Sequence, residues 1–298
     1  MSYTPGMYDI ALSVAACARS GTRADVAWML SPVVTDEALA FTPGGGQVGS
    51  IMGGAFDGVL ADVASRKLSS GRLIRHVVTT VESAVCGLPE GSTVEFLLVP
   101  ADQFPAQLWP QLMDRETVVI SAAIEDNEVT SLTLAEGISE RDAPAATSGR
   151  PAVFVDGSEI TTVLTPITRL VIAGQGPIAD ALAAQGVLLE WKSTVESRPG
   201  MVAGLAAGLS ELDGIVVMGH DVEITGTYLM SALESRAGYI GALGSESMQQ
   251  TRADWLALRE VTDLSRVRGP AGLDIGSRDP AEIAVAIAAQ MILNLRLP

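Results

Sequence analysis

From residue 168 onward the chain repeats one unit: a short apolar run, a turn rich in glycine, then a helix. The runs are RLVIAG, VLLEW, GIVVMG and GYIGAL; the helical candidates are PIADALAAQ, MVAGLAAGLSEL, GTYLMSALESR, SMQQTRADWLALRE and DPAEIAVAIAAQMILNL. A strand that is apolar throughout has no face to give to water, and strands each followed by a helix pair in parallel with helices on both faces. The last helix carries its own start signal: Asp279 as N-cap, Pro280 at the first helical position and Glu282 placed to reach back. The expected fold class is α/β, with a Rossmann-like parallel sheet over residues 166–298.

Residues 1–165 read differently, as an α+β domain. Residues 8–30 suggest one helix, and PVVTDEALAFTPGGGQVGSIMGG short β-segments broken at Gly44–Gly46. AFDGVLADVASRKLSSG is helical and stopped by Gly71; RLIRHVVTTV and STVEFLLVP are strands. TVVISAAIEDNEVTSLTLA forms a hairpin around Asp126-Asn127-Glu128, ISERDAPAATSGRPA an exposed loop, and AVFVDGSEITTVLTP two strands around Asp156-Gly157. No internal repeat is visible.

Charge removes whole classes of partner. Acids outnumber bases 35 to 19, and the excess is spread: 18 against 9 in residues 1–150, and 17 against 10 in residues 151–298. No basic stripe exists to neutralise a phosphate backbone, so nucleic acid is not an expected partner, and an anionic membrane surface is disfavoured for the same reason. Cys17 and Cys86, the two cysteines, make neither a disulfide framework nor a CxxC zinc motif, and no metal site is expected. Tyr8 and Asp9 fall where a signal peptide needs its apolar core, and no apolar run reaches the roughly 18–20 residues of a membrane span. A cytoplasmic location is expected. The apolar share is 48% and the aromatic share only 4%, so Ala, Val, Leu and Ile must build the core. Trp109, Trp191 and Trp255 are either partner contacts or core.

Within VIAGQGPIADALA, Gly174-Gln175-Gly176-Pro177-Ile178-Ala179 has the form G-x-G-x-x-A. Gly174 would permit a sharp turn, Gly176 the close approach of a phosphate, and Ala179 tight packing of helix on strand. Glu190, 16 residues after Gly174, would close the second strand and meet an adenosine ribose. The alternative is a strand-to-helix turn that binds nothing. A second cluster stands at other strand ends: Gly219, His220 and Asp221, then Gly241, Gly244 and Ser245. His220 and Asp221 are weak candidates for acid–base work, and a loop histidine bonded to backbone is the plainer alternative. No G-x-S-x-G elbow, H-E-x-x-H helix or P-loop lysine is present.

YIGALGS followed by a helix and then RGPAGLDIGSRDPAEIAVAI resembles the end of the XdhC/CoxI family. RLVIAGQGPIADALA and DGIVVMGHD resemble its Rossmann segments, VFVDGSEITTVLTPITRLVI its linker, GGQVGSIMGGAFDGVLADVA its N-terminal glycine motif, and AVCGLPEGSTVEFLLVP its Cys-Gly segment. The resemblance covers most of residues 40–295. It implies a maturation protein that binds the molybdenum cofactor (molybdopterin) and delivers it to a molybdenum hydroxylase of the xanthine dehydrogenase or carbon monoxide dehydrogenase type. It further implies a sulfurase or cysteine desulfurase partner and a homodimer. Gly53, Gly54, Asp57, Cys86 and Gly87 are the residues it would place at the cofactor. The family motif Ser-Gly-Gly-Cys, aliphatic, Glu reads here Met52-Gly53-Gly54-Ala55-Phe56-Asp57, so a methyl replaces a thiol. Leu88 replaces a second glycine after Cys86-Gly87, and the usual Gly-Ser…Pro-Arg approach is missing before residue 40. In physical terms Gly53 and Gly54 would form an anion nest or a plain turn, and Cys86 a reactive thiolate or a small buried hydrophobe.

Three functions stand open: a non-enzymatic carrier of the molybdenum cofactor, an NAD(P)-dependent oxidoreductase using His220–Asp221, or a non-catalytic scaffold that has lost cofactor binding.

Overall fold

A computed structural model describes residues 5–42 and 44–297; Pro43, inside the glycine-broken β-segment, lies outside the described residues. Contacts divide the chain into two units, Met1–Pro166 and Ile167–Pro298.

The first unit runs α1 (Met7–Arg19), β1 (Asp25–Ser31), β2 (Ala38–Phe41), β3 (Gln47–Gly49), α2 (Asp57–Ser65), β4 (Arg72–Val77), α3 (Thr80–Cys86), β5 (Thr93–Pro100), α4 (Leu108–Met113), β6 (Val118–Glu125), β7 (Glu128–Leu134), α5 (Ala143–Ser148), β8 (Ala152–Asp156) and β9 (Glu159–Leu164). Among the described residues nine strands make one sheet in the order β3-β2-β1-β5-β4-β7-β6-β9-β8. Every pairing in it is antiparallel.

The helix expected over 8–30 is two elements. Gly21, at φ +68°, ends the turn after α1, and VAWML becomes the inner strand β1. β1 is buried on both faces: Val26, Trp28 and Leu30 join the cluster under α1 and α4, while Ala27 and Met29 join the one under α2. Double burial removes the alternation that marks a strand, which is why the run reads as a continuation of the helix. The expected loop at 138–152 contains α5, whose Ala146 packs on Val119 and Val163. The helix expected to reach Gly71 stops at Ser65, before Lys67 at φ +49°.

The second unit runs β10 (Arg169–Ala173), α6 (Pro177–Leu188), β11 (Lys192–Glu196), α7 (Pro199–Ala207), β12 (Gly214–Val217), α8 (Val222–Glu234), β13 (Tyr239–Ala242), α9 (Glu246–Ala257), β14 (Val267–Arg268) and α10 (Pro280–Arg296). Its strands are all parallel, in the order β11-β10-β12-β13-β14. Val171, Ala173, Ile215, Val217 and Ile240 face α7, α8 and α9; Leu170, Ile172 and Val216 face α6 and α10. Burying each such aliphatic side chain contributes about 2 kcal/mol. α10 begins as its sequence predicts, with a full capping box on Asp279 and Glu282. Within α10, Gln290 Oε1 accepts from Tyr239 Oη at 2.7 Å and from the Gly272 N–H at 2.9 Å, and its Nε2 donates to the Gly272 carbonyl at 3.2 Å.

VLLEW is not a strand. Residues 187–188 finish α6 and 189–191 turn, with Glu190 at φ +60°. The second strand is Lys192–Glu196, five residues later than expected at its start.

Candidate functional site

The chain leaves β10 to form β11 on one side, then crosses to β12 on the other. That reversal is the topological switch point where open α/β sheets hold ligands, at the carboxyl ends of the strands. β10, β12 and β13 leave through glycines of nearly one conformation: Gly174 at φ +140°, Gly219 at +135° and Gly244 at +135°. A side chain at Gly174 would put its Cβ 2.6 Å from the Met218 carbonyl oxygen, whereas at Gly176 (φ +114°) it would meet nothing within 4 Å. The first glycine thus fits one loop against the next, and the second stands on open space. Ala179 is fully buried against the sheet, and Gln175 is exposed between the glycines.

The carbonyls of this lip are spoken for from below. Arg252 of α9, buried, donates through NH2 to Gly219 O at 2.8 Å, through NH1 to Leu243 O at 2.7 Å, and through Nε to Thr225 Oγ1 at 3.1 Å. Gln249 donates to Ala242 O at 2.9 Å and Gly244 O at 3.1 Å. A trans peptide points its C=O and N–H in opposite directions. Turning the carbonyls of Gly219, Leu243 and Gly244 down onto α9 therefore turns the N–H groups of His220, Gly244 and Ser245 away from that helix. The guanidinium below is pushed down from its ordinary pKa by burial, and it has no carboxylate partner among the described ion pairs. Outward N–H groups over a cation without a counter-ion favour an anion. Sequence reasoning missed both side chains. Their only signal was spacing: 249, 252 and 256 share one helical face with buried Leu256.

Other predicted residues fall differently. Asp221 caps α8, Oδ1 accepting from the Ile224 N–H at 3.0 Å, so its carboxylate serves the helix. His220 is exposed beside it, with no hydrogen bond to Asp221 among the described contacts. Ser245 caps α9 and pairs with Ser247 Oγ at 2.9 Å. Gly241 is buried inside β13, where a Cβ would meet the Tyr239 ring, so it lies beneath the lip and lines nothing. Glu190 stands in the turn before β11; the acid that ends the strand is Glu196, whose carbonyl accepts from the Gly174 N–H at 2.8 Å. Trp191 belongs to the core, and Trp255 covers Gly226, where a Cβ would lie 2.3 Å from its ring.

In the first unit the predicted residues do come together. Gly53 (φ +68°) and Gly54 (φ +89°) form a tight turn whose Gly53 approaches Val85 of α3, and Cys86 ends that helix with Gly87 as its left-handed cap. Cys86 is half-buried and, with Met52, Ala55 and Leu88, borders the cluster around Phe56. Two of the loop's donors are used by carboxylates: Met52 N–H donates to Glu37 Oε2 at 2.6 Å, and Ile51 N–H to Asp57 Oδ1 at 3.1 Å. Gln47 donates to the other Asp57 oxygen at 2.7 Å. Beside this loop α3 carries exposed Val81, 76% accessible, and Val85, one helical turn apart. His76 Nε2 meets both Glu82 oxygens at 2.9 Å. Burial pushes the Glu82 carboxyl up, but bonds from Thr79 and His76 outweigh it and hold the group below the usual range. Elsewhere in this unit Phe104, Trp109, Ala15 and Ala101 line a cavity of about 710 Å³ that none of the predicted site residues enters. No group of ligands fit for a metal ion occurs among the described residues. No described helix is long and apolar enough to cross a membrane.

A parallel sheet in this order, with glycines at the strand exits around its switch point, defines a Rossmann-like domain. Residues 170–291 match the family model of the XdhC Rossmann domain. No curated protein matches the chain. A crystal structure described as a xanthine dehydrogenase from Bacillus halodurans is similar at 18% identity, over 96% of this chain and 95% of that one, with a TM-score of 0.48.

Proposed function

We propose that this protein is an accessory factor for a molybdenum hydroxylase of the xanthine dehydrogenase or carbon monoxide dehydrogenase type, and that within this role its C-terminal domain holds a phosphate-bearing nucleotide. One observation carries the nucleotide half: lip carbonyls tied down onto Gln249 and Arg252, which turns the partner N–H groups away from α9 at the strand exits. The accessory role rests on the match of residues 170–291 to the XdhC Rossmann domain. The exposed pair Val81 and Val85 on α3 offers an apolar contact for the partner enzyme.

The molybdenum cofactor is the group that the resemblance implies at Gly53–Gly54 and Cys86. Those residues do not fit it. Its phosphate would approach a loop whose Ile51 and Met52 donors already serve Asp57 and Glu37, and whose residue 55 is a methyl where a soft ligand is needed. This favours a scaffold that assists insertion without gripping the cofactor at that loop. The oxidoreductase alternative needs an acid–base pair, and Asp221 is engaged as a helix cap.

The test is in vitro loading of hydroxylase apoenzyme with molybdenum cofactor, with and without the chain, scoring enzyme-bound molybdenum. We expect the chain to raise loading, Cys86→Ser to act like wild type, and Val81→Asp to lose both the effect and co-purification with the apoenzyme. No stimulation by wild-type chain overturns the accessory role; a dead Cys86→Ser overturns the scaffold form of it.

A further inference from the structure

The acid at the end of β11 is where a Rossmann site meets the ribose of an adenosine, and an arginine nearby is what accepts a ribose 2′-phosphate. Here both are present, and the structure shows which one is open to a ligand. Glu196 Oε1 accepts from the Ser197 N–H at 2.9 Å, the Arg198 N–H at 2.9 Å and Arg198 Nε at 3.0 Å; Oε2 accepts from Arg198 NH2 at 2.6 Å. A carboxylate offers about four acceptor sites, two on each oxygen, so Oε1 is saturated and Oε2 keeps one. The guanidinium has about five N–H donors, and two of them are in the pair, which leaves the rest unspent. Exposure points the same way: the Glu196 side chain is 13% accessible and that of Arg198 is 73%. Ser197 is exposed between them, and Arg198 caps α7, so the positive end of that helix lies at the same spot. A ribose diol asks for acceptors and finds at most one, on Oε2 of a side chain that is largely covered. A phosphate asks for donors and positive charge, and finds both.

Building on the nucleotide reading of this crevice, we propose that it selects an adenosine ribose bearing a 2′-phosphate, as in an NADP-type dinucleotide, with Arg198 and Ser197 contacting that phosphate and Glu196 positioning the guanidinium. The ligand's pyrophosphate lies at the glycine lip and its 2′-phosphate one strand over, beside Glu196, whose backbone is bonded to Gly174.

The experiment is titration of the full chain with NADPH and with NADH, read by nicotinamide fluorescence, and competition by adenosine 2′,5′-bisphosphate against 5′-AMP. Charge-assisted bonds of this kind correspond to a preference of about tenfold or more for the 2′-phosphorylated form. Arg198→Ala, at an exposed position, removes the preference by weakening NADPH binding and releasing Glu196 to accept from the ribose of NADH; Arg198→Lys keeps part of it. Equal or tighter binding of NADH, or a preference that survives Arg198→Ala, overturns the inference while the nucleotide site stands. Binding of neither dinucleotide overturns the site and the inference together.

Discussion

Both units of this chain turn tightly on glycines, and the two turns have opposite electrostatics. At Gly53–Gly54 the neighbouring donors run into Glu37 and Asp57, so the loop is closed on its own acids. At Gly219 and Gly244 the carbonyls run into Gln249 and Arg252, so the donors are left over. Sheet direction underlies the contrast. Parallel strands bring all their carboxyl ends to one edge, where one helix reaches two exits at once. An antiparallel sheet sends alternate ends to opposite edges, so neighbouring strand exits do not share one helix beneath them. A glycine-rich motif is therefore not a site until the other half of each peptide has been traced.

Breaking the clamp should have the largest effect. Arg252→Met strands the Gly219 and Leu243 carbonyls without donors, and each buried unmet group costs about 1–3 kcal/mol. We expect clear loss of stability in calorimetry, with hydrogen exchange accelerated first at residues 219–221 and 243–246. An unchanged melting curve would show that the buried guanidinium does not hold the lip.

Next in size is a glycine pair. Gly174→Ala meets the Met218 oxygen at 2.6 Å in a backbone conformation closed to alanine, and should cost about 2–3 kcal/mol. Gly53→Ala meets only Val85 Cγ1 at 3.7 Å and should cost about 1 kcal/mol, the strain of its positive φ alone. Chemical denaturation ranks the two, and the reverse order would contradict the packing described.

A gentler change would erase the contrast. Glu37→Gln with Asp57→Asn removes both negative charges around Ile51 and Met52 and leaves the shapes alone. Amide shifts at 51–54 should then respond to millimolar inorganic phosphate, as the wild-type loop should not.

The smallest effect is a titration. The hydrogen bonds and charge of Arg198 hold the Glu196 carboxyl down to about 2, from an ordinary 4.5. A lowered folded-state value means that the pair's contribution is complete above pH 4.5 and fades as pH falls toward 2. Arg198→Ala should move the Glu196 carboxyl resonance midpoint back up toward 4.5, and an unmoved midpoint would separate the two side chains.

The parallel sheet was legible because its inner strands are apolar throughout, and α10 because its cap is written in Asp279-Pro280 and Glu282. β11 was not. As an edge strand it reads KSTVE, polar but for Val195, while Val187 and Leu188 before it mimic a strand although they are 71% and 78% exposed at the end of α6. The acid that ends the second strand is consequently Glu196, and Glu190 lies in the turn before it. β1 failed for the reverse reason, burial on both faces. Arg252 and Gln249 were invisible because a charged or amide residue on a polar helix predicts solvent; only the strand exits packed against them give them work. Asp57 stood out as an acid in a familiar place, but its partners Ile51 and Gln47 are a matter of tertiary approach.

Gln290 interrupts an otherwise oily helix, and its bonds to Tyr239 and Gly272 give that interruption a purpose. A face of alanines and isoleucines is nearly self-similar along its axis, so sliding by one turn would cost little in packing alone. One amide with fixed correspondents acts as a keyed tooth. It turns a greasy rod that many seatings would accept into one that locks at a single notch.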